Sequence, residues 1–408
     1  MSEINVTVQQ KRESLGEELA GLLKTNLRDY MMYIVLVAII VIFSITTNGK
    51  FITASNISNL FNQAAYVAVL AIGMTIILIL KHIDLSVGYV AGFCGALCAI
   101  LLKMGISVYL VIPAALLVGL LIGTYQGLLV TRVGVPAFVT TLAGMFMFRG
   151  FLGIITSKSG TIVVKDDVFN ALNNKFIPAV VEIPVDGGNG TLNLLTILIG
   201  IIGIILMIGG QVKARKNKLR YGFKVLSTPI FFVTLAIISA IIMAVVVLLA
   251  LDKGIPWSAV IVAVILLVYN FVLNKTKIGR YIYGIGGNDQ AAELSGVNVK
   301  NITLMAFMSM SFLAALSGIL YTSRLQSATP TAGNAFEMDA IASSYIGGVA
   351  VTGGVGKVTN TIIGTLVIMS LTNGMNLMGV DAFLQYIVKG VIFIAAVAFD
   401  VISRKRSK

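Results

Sequence analysis

Residues 274–302 read NKTKIGRYIYGIGGNDQAAELSGVNVKNI, the longest polar interval in the second half of an otherwise largely apolar chain. Apolar runs near 256–273 and 303–321 flank it, each of a length that crosses a bilayer as one helix. The interval holds four basic residues (Lys275, Lys277, Arg280, Lys300), two acids (Asp289, Glu293) and five glycines. Its core reads as turn, short helix, turn. Gly286 and Gly287 interrupt what precedes them. Asn288 is placed to cap a helix, and Asp289 follows where the positive end of the helix dipole favours an acid. Ala291, Ala292, Glu293 and Leu294 are helix formers, and Ser295 with Gly296 ends the segment. A short helix tethered between two spans is placed to press on a protein at the membrane surface.

The rest of the chain fits that frame. Of 408 residues, 57% are hydrophobic and 12% charged, about half the charged share of a soluble domain. Spanning-length apolar runs recur throughout, so the expected fold is an all-α polytopic membrane protein with about 10–12 transmembrane helices, some broken or re-entrant. The 41 glycines suit close helix packing. A net charge of +13 invites a nucleic-acid reading. However, most Lys and Arg fall at the N-terminus, at 211–224, in 274–302 and at the C-terminus, segments that alternate to one side. This is the positive-inside pattern, and it excludes nucleic acid as the partner in favour of membrane lipid. Cys94 and Cys98, four apart in one apolar run, read as small packing residues, and the single histidine, His82, leaves no zinc-type spacing.

In chain order, residues 1–29 carry leucines on one helical face and predict an amphipathic helix on the inner surface. The spanning domain covers 30–402. Ser55 or Asn56 is placed to cap the second span. A polar external loop fills 157–190, a basic inner loop 211–224, and the basic tail occupies 403–408. Span ten, about 339–355, is short and glycine-rich, and its re-entry would lower the span count. Both termini are expected inside.

Within the spans, Asp84 is the sharpest residue. It sits in Lys81-His82-Ile83-Asp84-Leu85-Ser86-Val87-Gly88, at the join of two nearly continuous apolar runs. A membrane carboxylate costs about 2.5–3.5 kcal/mol on insertion scales, so it is normally paired, buried or functional. Two readings stay open: Asp84, Ser86 and Gly88 shape a pathway or gate, or they form a helix cap near the surface. Thr140, Thr141, Asn334, Asn373 and Asn376 offer hydroxyls and amides that either line a route for a hydroxyl-rich solute or bond helices together. Arg149 and Lys389 are charges that snorkel to the interface, unless Lys389 turns inward to an acid such as Asp84. The run Gly347–Gly356 lacks the GxxxxGK[ST] order of a phosphate loop. Its glycines allow close helix contact or a break.

Four stretches carry a family resemblance: IDLSVG at 83–88, VPAFVTTLAGMFMFRG at 135–150, the segment 284–299 with its GGN-x-x-AA-x-LSG core, and SATPTAGNAFEMDAIASSYIGG at 327–348. Together they resemble the permeases of bacterial ABC importers for monosaccharides, closest to the longer xylose or multiple-monosaccharide type. The resemblance implies a permease dimer in the cytoplasmic membrane and a sugar-binding protein docked outside. It also implies an ATPase subunit docked inside on Gly286, Gly287, Asn288, Asp289, Ala291, Ala292, Glu293, Leu294, Ser295 and Gly296. The chain is then not an enzyme and binds no cofactor; ATP and magnesium belong to the ATPase partner. Charge and placement suggest Asp166, Asp167, Glu182, Asp186, Glu337 and Asp339 as contacts for the binding protein. The alternatives are a proton-coupled secondary transporter working through Asp84, and a branched-chain amino-acid permease of the ABC class.

Overall fold

A computed structural model describes residues 32–157, 160–179, 181–184, 191–223, 225 and 227–406. The amphipathic helix expected at 1–29 lies outside the described residues. The fold is all-α: helices account for nearly everything described, and the strands are two or three residues long. Among the described residues, eight helices are long and apolar enough to cross a membrane. They are α2 (Ala54–Ile79), α4 (Val108–Leu128, extended by a π turn over Leu129–Val133), α5 (Ala137–Thr156), α7 (Leu194–Arg220), α8 (Thr228–Leu251), α9 (Trp257–Lys275), α12 (Val299–Leu325) and α14 (Val358–Leu377). Three shorter apolar helices join them: α1 (Met32–Thr46), α3 (Val87–Lys103) and α15 (Ala382–Arg406). The remainder are α6 (Asp167–Asn174), α10 (Lys277–Gly287), α11 (Asp289–Leu294) and α13 (Phe336–Ile346).

The body is built around α2 and α12. In its most apolar window α2 is 94% buried, whereas α8 and α9 are each 11% buried and form the periphery. The two central helices run antiparallel, with Gly73 of α2 against Met310 of α12 and the Ser317 hydroxyl donating to the Tyr66 carbonyl at 2.8 Å. α4 lies antiparallel on α12 along Gly119, Gly123 and Gly127, one glycine per turn. A Cβ at Gly123 would collide with the Phe307 carbonyl, and one at Gly119 would lie 2.6 Å from Ala315 Cβ. Such small-residue seams let helices pack where lipid gives no hydrophobic drive. α3 runs parallel to α12, with the main chain of Gly318 pressed on Ala91. A seam of hydroxyls joins α2 to α13 and α14: Thr75 Oγ1 lies 2.7 Å from Thr361 Oγ1 and 3.3 Å from Ser344 Oγ.

Several expectations change. The glycine-rich span ten is a half-length helix, α13, reached from the outer end of α12 through non-helical residues 326–335 and followed by a loop over 347–357. The expected basic loop at 211–224 is largely helix, because α7 runs on through Arg220; Lys and Arg are good helix formers, so polarity alone does not end a helix. α2 begins at Ala54 with Thr53 at its N-cap, and Asn56 is spent on an interhelical bond. The outer loop is partly built: Asp166 caps α6 by accepting from Phe169 N at 2.7 Å, and Phe169 is fully buried. α6 then rests on the outer ends of α2, α9 and α12. The Asn173 amide donates to Ser323 Oγ at 3.0 Å, and Asn174 Nδ2 donates to the Ser323 carbonyl at 2.6 Å. Ile162 and Val163 pair with Ala328 and Ser327 beside it.

Close backbone packing sets a stability test. An added methyl at Gly318 meets the main chain of Ala91, which cannot swing aside, whereas at Gly150 it meets nothing within 4 Å. Gly318→Ala is expected to cost about 1–3 kcal/mol, read as a lower melting temperature of the detergent-purified protein, with Gly150→Ala unchanged. Equal melting temperatures for the two variants would remove this account.

Candidate functional site

The polar interval 274–302 folds into two consecutive short helices. Thr276 caps α10 by accepting from Gly279 N at 3.4 Å. Asn288 caps α11 as its side-chain oxygen accepts from Ala291 N at 3.0 Å. Gly296, at φ +82°, turns the chain toward α12. On α11 only Ala292 is buried, while Leu294 is 90% exposed. Asp289 and Glu293 are also exposed. The expected turn at Gly286-Gly287 is instead the last turn of α10. Gly286 is required for a different reason: a Cβ there would collide with the Ile79 carbonyl and lie 2.6 Å from Gly354 N.

That contact is the centre of a junction. Gly354 N donates to the Ile79 carbonyl at 2.9 Å, so the end of α2 accepts a bond from the glycine-rich loop. Gly353 and Gly354 take φ of +76° and +71°, conformations that favour glycine. Tyr283 of α10 donates its hydroxyl to the Gly356 carbonyl at 2.8 Å, and Lys81 Nζ reaches the Gly287 carbonyl at 3.4 Å. The end of α2 and the 347–357 loop are therefore bonded main chain to main chain, and the side chains of Tyr283 and Lys81 tie α10 to them.

Beyond Ile79 the chain leaves the helix over residues 80–86 and re-enters as α3. Asp84, fully buried, holds this break. Its Oδ1 accepts from Ser86 N at 2.9 Å and from Ser86 Oγ at 2.6 Å, and Gln126 Nε2 of α4 donates to the same hydroxyl at 2.9 Å. Thr141 of α5 donates to the Ile83 carbonyl at 3.3 Å. Asp84 thus organises the first turn of α3 by the side-chain-to-backbone bonding typical of caps and turns. It does so below the ends of α4 and α5. Gly88 lets α3 approach 326–335 and α13: a Cβ there would collide with Glu337 Oε2 and the Gly333 carbonyl. Asp84 Oδ2, Glu337 Oε2 and Thr140 Oγ1 are buried without a hydrogen-bond partner.

The other candidates separate. Asn373 and Asn56 exchange bonds of 2.8 and 3.1 Å between α14 and α2, and Asn376 accepts from Gln385 of α15 at 2.8 Å; both join helices. Asn334 is exposed and accepts from the Tyr89 hydroxyl at 3.3 Å. Among the acids proposed for the outer surface, Asp167 is exposed beside the capping Asp166. Glu182 starts a strand, and Asp186 lies outside the described residues. Glu337 is buried against Gly88, not at the outer surface, because α13 sits inside the bundle. Asp339 forms an ion pair with Lys389 at 3.0 Å, so Lys389 turns inward to Asp339, not to Asp84. Gln126, Tyr89 and the inward Glu337 escaped the sequence reading. The G-x-x-x-G-x-x-x-G spacing of α4 was a usable signal for the helix that carries Gln126.

Compared with known proteins, residues 56–397 match the family described as branched-chain amino acid transport system / permease component. The chain is 35% identical over 389 residues to the xylose transport system permease protein of Escherichia coli strain K12, covering 95% of each chain. It is 35% identical over 382 residues to the xylose transport system permease protein of Haemophilus influenzae, covering 93% of this chain and 98% of the relative. It is also 32% identical over 376 residues to the ribose import permease protein of that organism, covering 91% and 92%. No solved structure matches. A match over most of the chain, with relatives aligned nearly end to end, establishes that this multi-pass membrane protein belongs to the branched-chain amino acid transport system / permease component family.

Proposed function

We propose that this chain is the permease subunit of an ATP-driven importer that carries a monosaccharide, xylose or a related pentose or hexose, across the bacterial cytoplasmic membrane. The observation that carries the reading is α11: a capped helix presenting Leu294 at 90% exposure, joined to α10, whose Gly286 is wedged against the end of α2. Burying the Leu294 side chain against a partner would contribute about 1.5–3 kcal/mol to docking. The end-to-end likeness to xylose and ribose permeases supports the substrate class. In this reading α11 docks on a separate ATPase subunit that binds ATP and magnesium. Motion at α10 passes through Ile79 and Gly354 to the break at Asp84 and to α13. A second copy of the chain completes the route, both termini face the cytosol, and a sugar-binding protein docks outside around α6, near Asp166 and Asp167.

Three outcomes test this in proteoliposomes holding the permease with its ATPase and binding protein. Labelled xylose uptake should require ATP and survive an uncoupler; uptake that collapses with the proton gradient and ignores ATP would sink the proposal. Leu294→Asp and Glu293→Lys should each abolish most ATP-dependent uptake while leaving the permease folded by melting temperature. Normal uptake in both would remove α11 as the docking element. At the break, Asp84→Asn keeps an acceptor for Ser86 N and should retain uptake, whereas Asp84→Leu removes it and should not. Loss in both would point to chemistry of the carboxylate itself.

A further inference from the structure

Arg149 poses a problem that its neighbours solve. It lies about 18 Å from the inner end of α5, taking 1.5 Å per residue, so it is well inside a helix of roughly 30 Å. Its side chain is exposed, and no carboxylate pairs with it among the described residues. A guanidinium at that depth costs about 2.5–3.5 kcal/mol facing lipid on insertion scales, so such groups normally face the bundle interior or water. The Arg149 guanidinium carbon lies 5.7 Å from the centroid of the Tyr89 ring, in the first turn of α3. α3 and α5 run side by side there, with Gly144 against Ser86 and Gly92 against Leu152. The depth is therefore fixed from both helices. Beside Arg149 the surface is open, since a Cβ at Gly150 or Gly153 would meet nothing within 4 Å.

Tyr89 makes a second contact. Its hydroxyl donates to Asn334 Oδ1 at 3.3 Å, which leaves Asn334 Nδ2 with a donor to offer. Asn334 is exposed, on the non-helical stretch that dips between α12 and α13. One aromatic side chain thus orients two groups that are both donors: a planar guanidinium fork and an amide N–H. Both can donate to the hydroxyl and ring oxygens of a neutral sugar.

We infer that Arg149 and Asn334, oriented by Tyr89, form a contact site for the sugar in a water-filled translocation route along this face of α5. The inference rests on the permease reading for its ligand, but the aqueous route can be tested apart from it. Cysteines placed singly at 149 and 334, in a Cys94→Ala/Cys98→Ala background of the intact transporter, are labelled by a charged, membrane-impermeant thiol reagent applied to both sides. Both should react roughly a hundredfold faster than Leu206→Cys, an exposed apolar position on α7, because hydrocarbon excludes a charged reagent. Reaction no faster than at 206 would overturn the route. In proteoliposomes, Arg149→Lys, Asn334→Ala and Tyr89→Phe should lower the sugar moved per ATP hydrolysed, with binding-protein-stimulated ATPase activity retained. A parallel fall of uptake and ATPase in all three would make these residues merely structural and remove the contact site. If the unaltered transporter moves no sugar, the permease reading fails, and labelling still judges the route.

Discussion

Main chain pressed against main chain is the constraint on which this structure depends. α12 touches α4 through three glycines one turn apart, α3 lies on α12 where Gly318 meets Ala91, and α10 meets the end of α2 at Gly286. In a bilayer the lipid tails are as apolar as the side chains, so helices gain by fitting closely and by bonding polar groups, not by escaping water. Close contacts of this kind have little slack. A displacement at one helix is therefore passed to its neighbour.

The non-helical stretches are compatible with a membrane for a related reason. Residues 80–86 and 326–335 carry backbone groups that hydrocarbon cannot satisfy, and such segments persist only where protein or water surrounds them. Asp84, Ser86, Gln126 and Thr141 supply partners at the first break. The second is braced by Tyr89 at Asn334 and by the close approach of Gly88 to Gly333. The two breaks meet at Gly88, so the least regular parts of the chain form one local cluster.

Much of this was legible from residues alone. Apolar runs of spanning length gave the helices, because in lipid a helix is nearly the only way to satisfy the backbone. Asn288 and Gly296 bracketed α11 through their cap chemistry. What escaped were the facts set by neighbours far away in sequence. Gly286 reads as a breaker, yet α2 and the Gly354 loop make it a contact surface within a helix. Glu337 and Asp339 read as outer acids because the chain had just left α12 on that side. The dip at 326–335 carries them inside, where Asp339 finds Lys389. The polar stretch 211–220 reads as a loop, but helix propensity carries α7 through it.

α9 links the two faces of the molecule. At its outer end Trp257 N bonds to the Lys175 carbonyl at 3.1 Å, and Ser258 bonds to Asn62 at 2.7 Å, beside α6. At its inner end Thr276 hands the chain directly to α10. Between these ends Tyr269 and Ser309 hydrogen-bond α9 to α12, and Ile261, Ile265 and Leu266 pack on the core, so α9 joins both tips to the centre of the bundle. Thermodynamic linkage then imposes a symmetry on anything that binds at either tip. If a ligand beneath α11 alters affinity at the α6 cap, occupancy of that cap must alter affinity beneath α11 by the same factor.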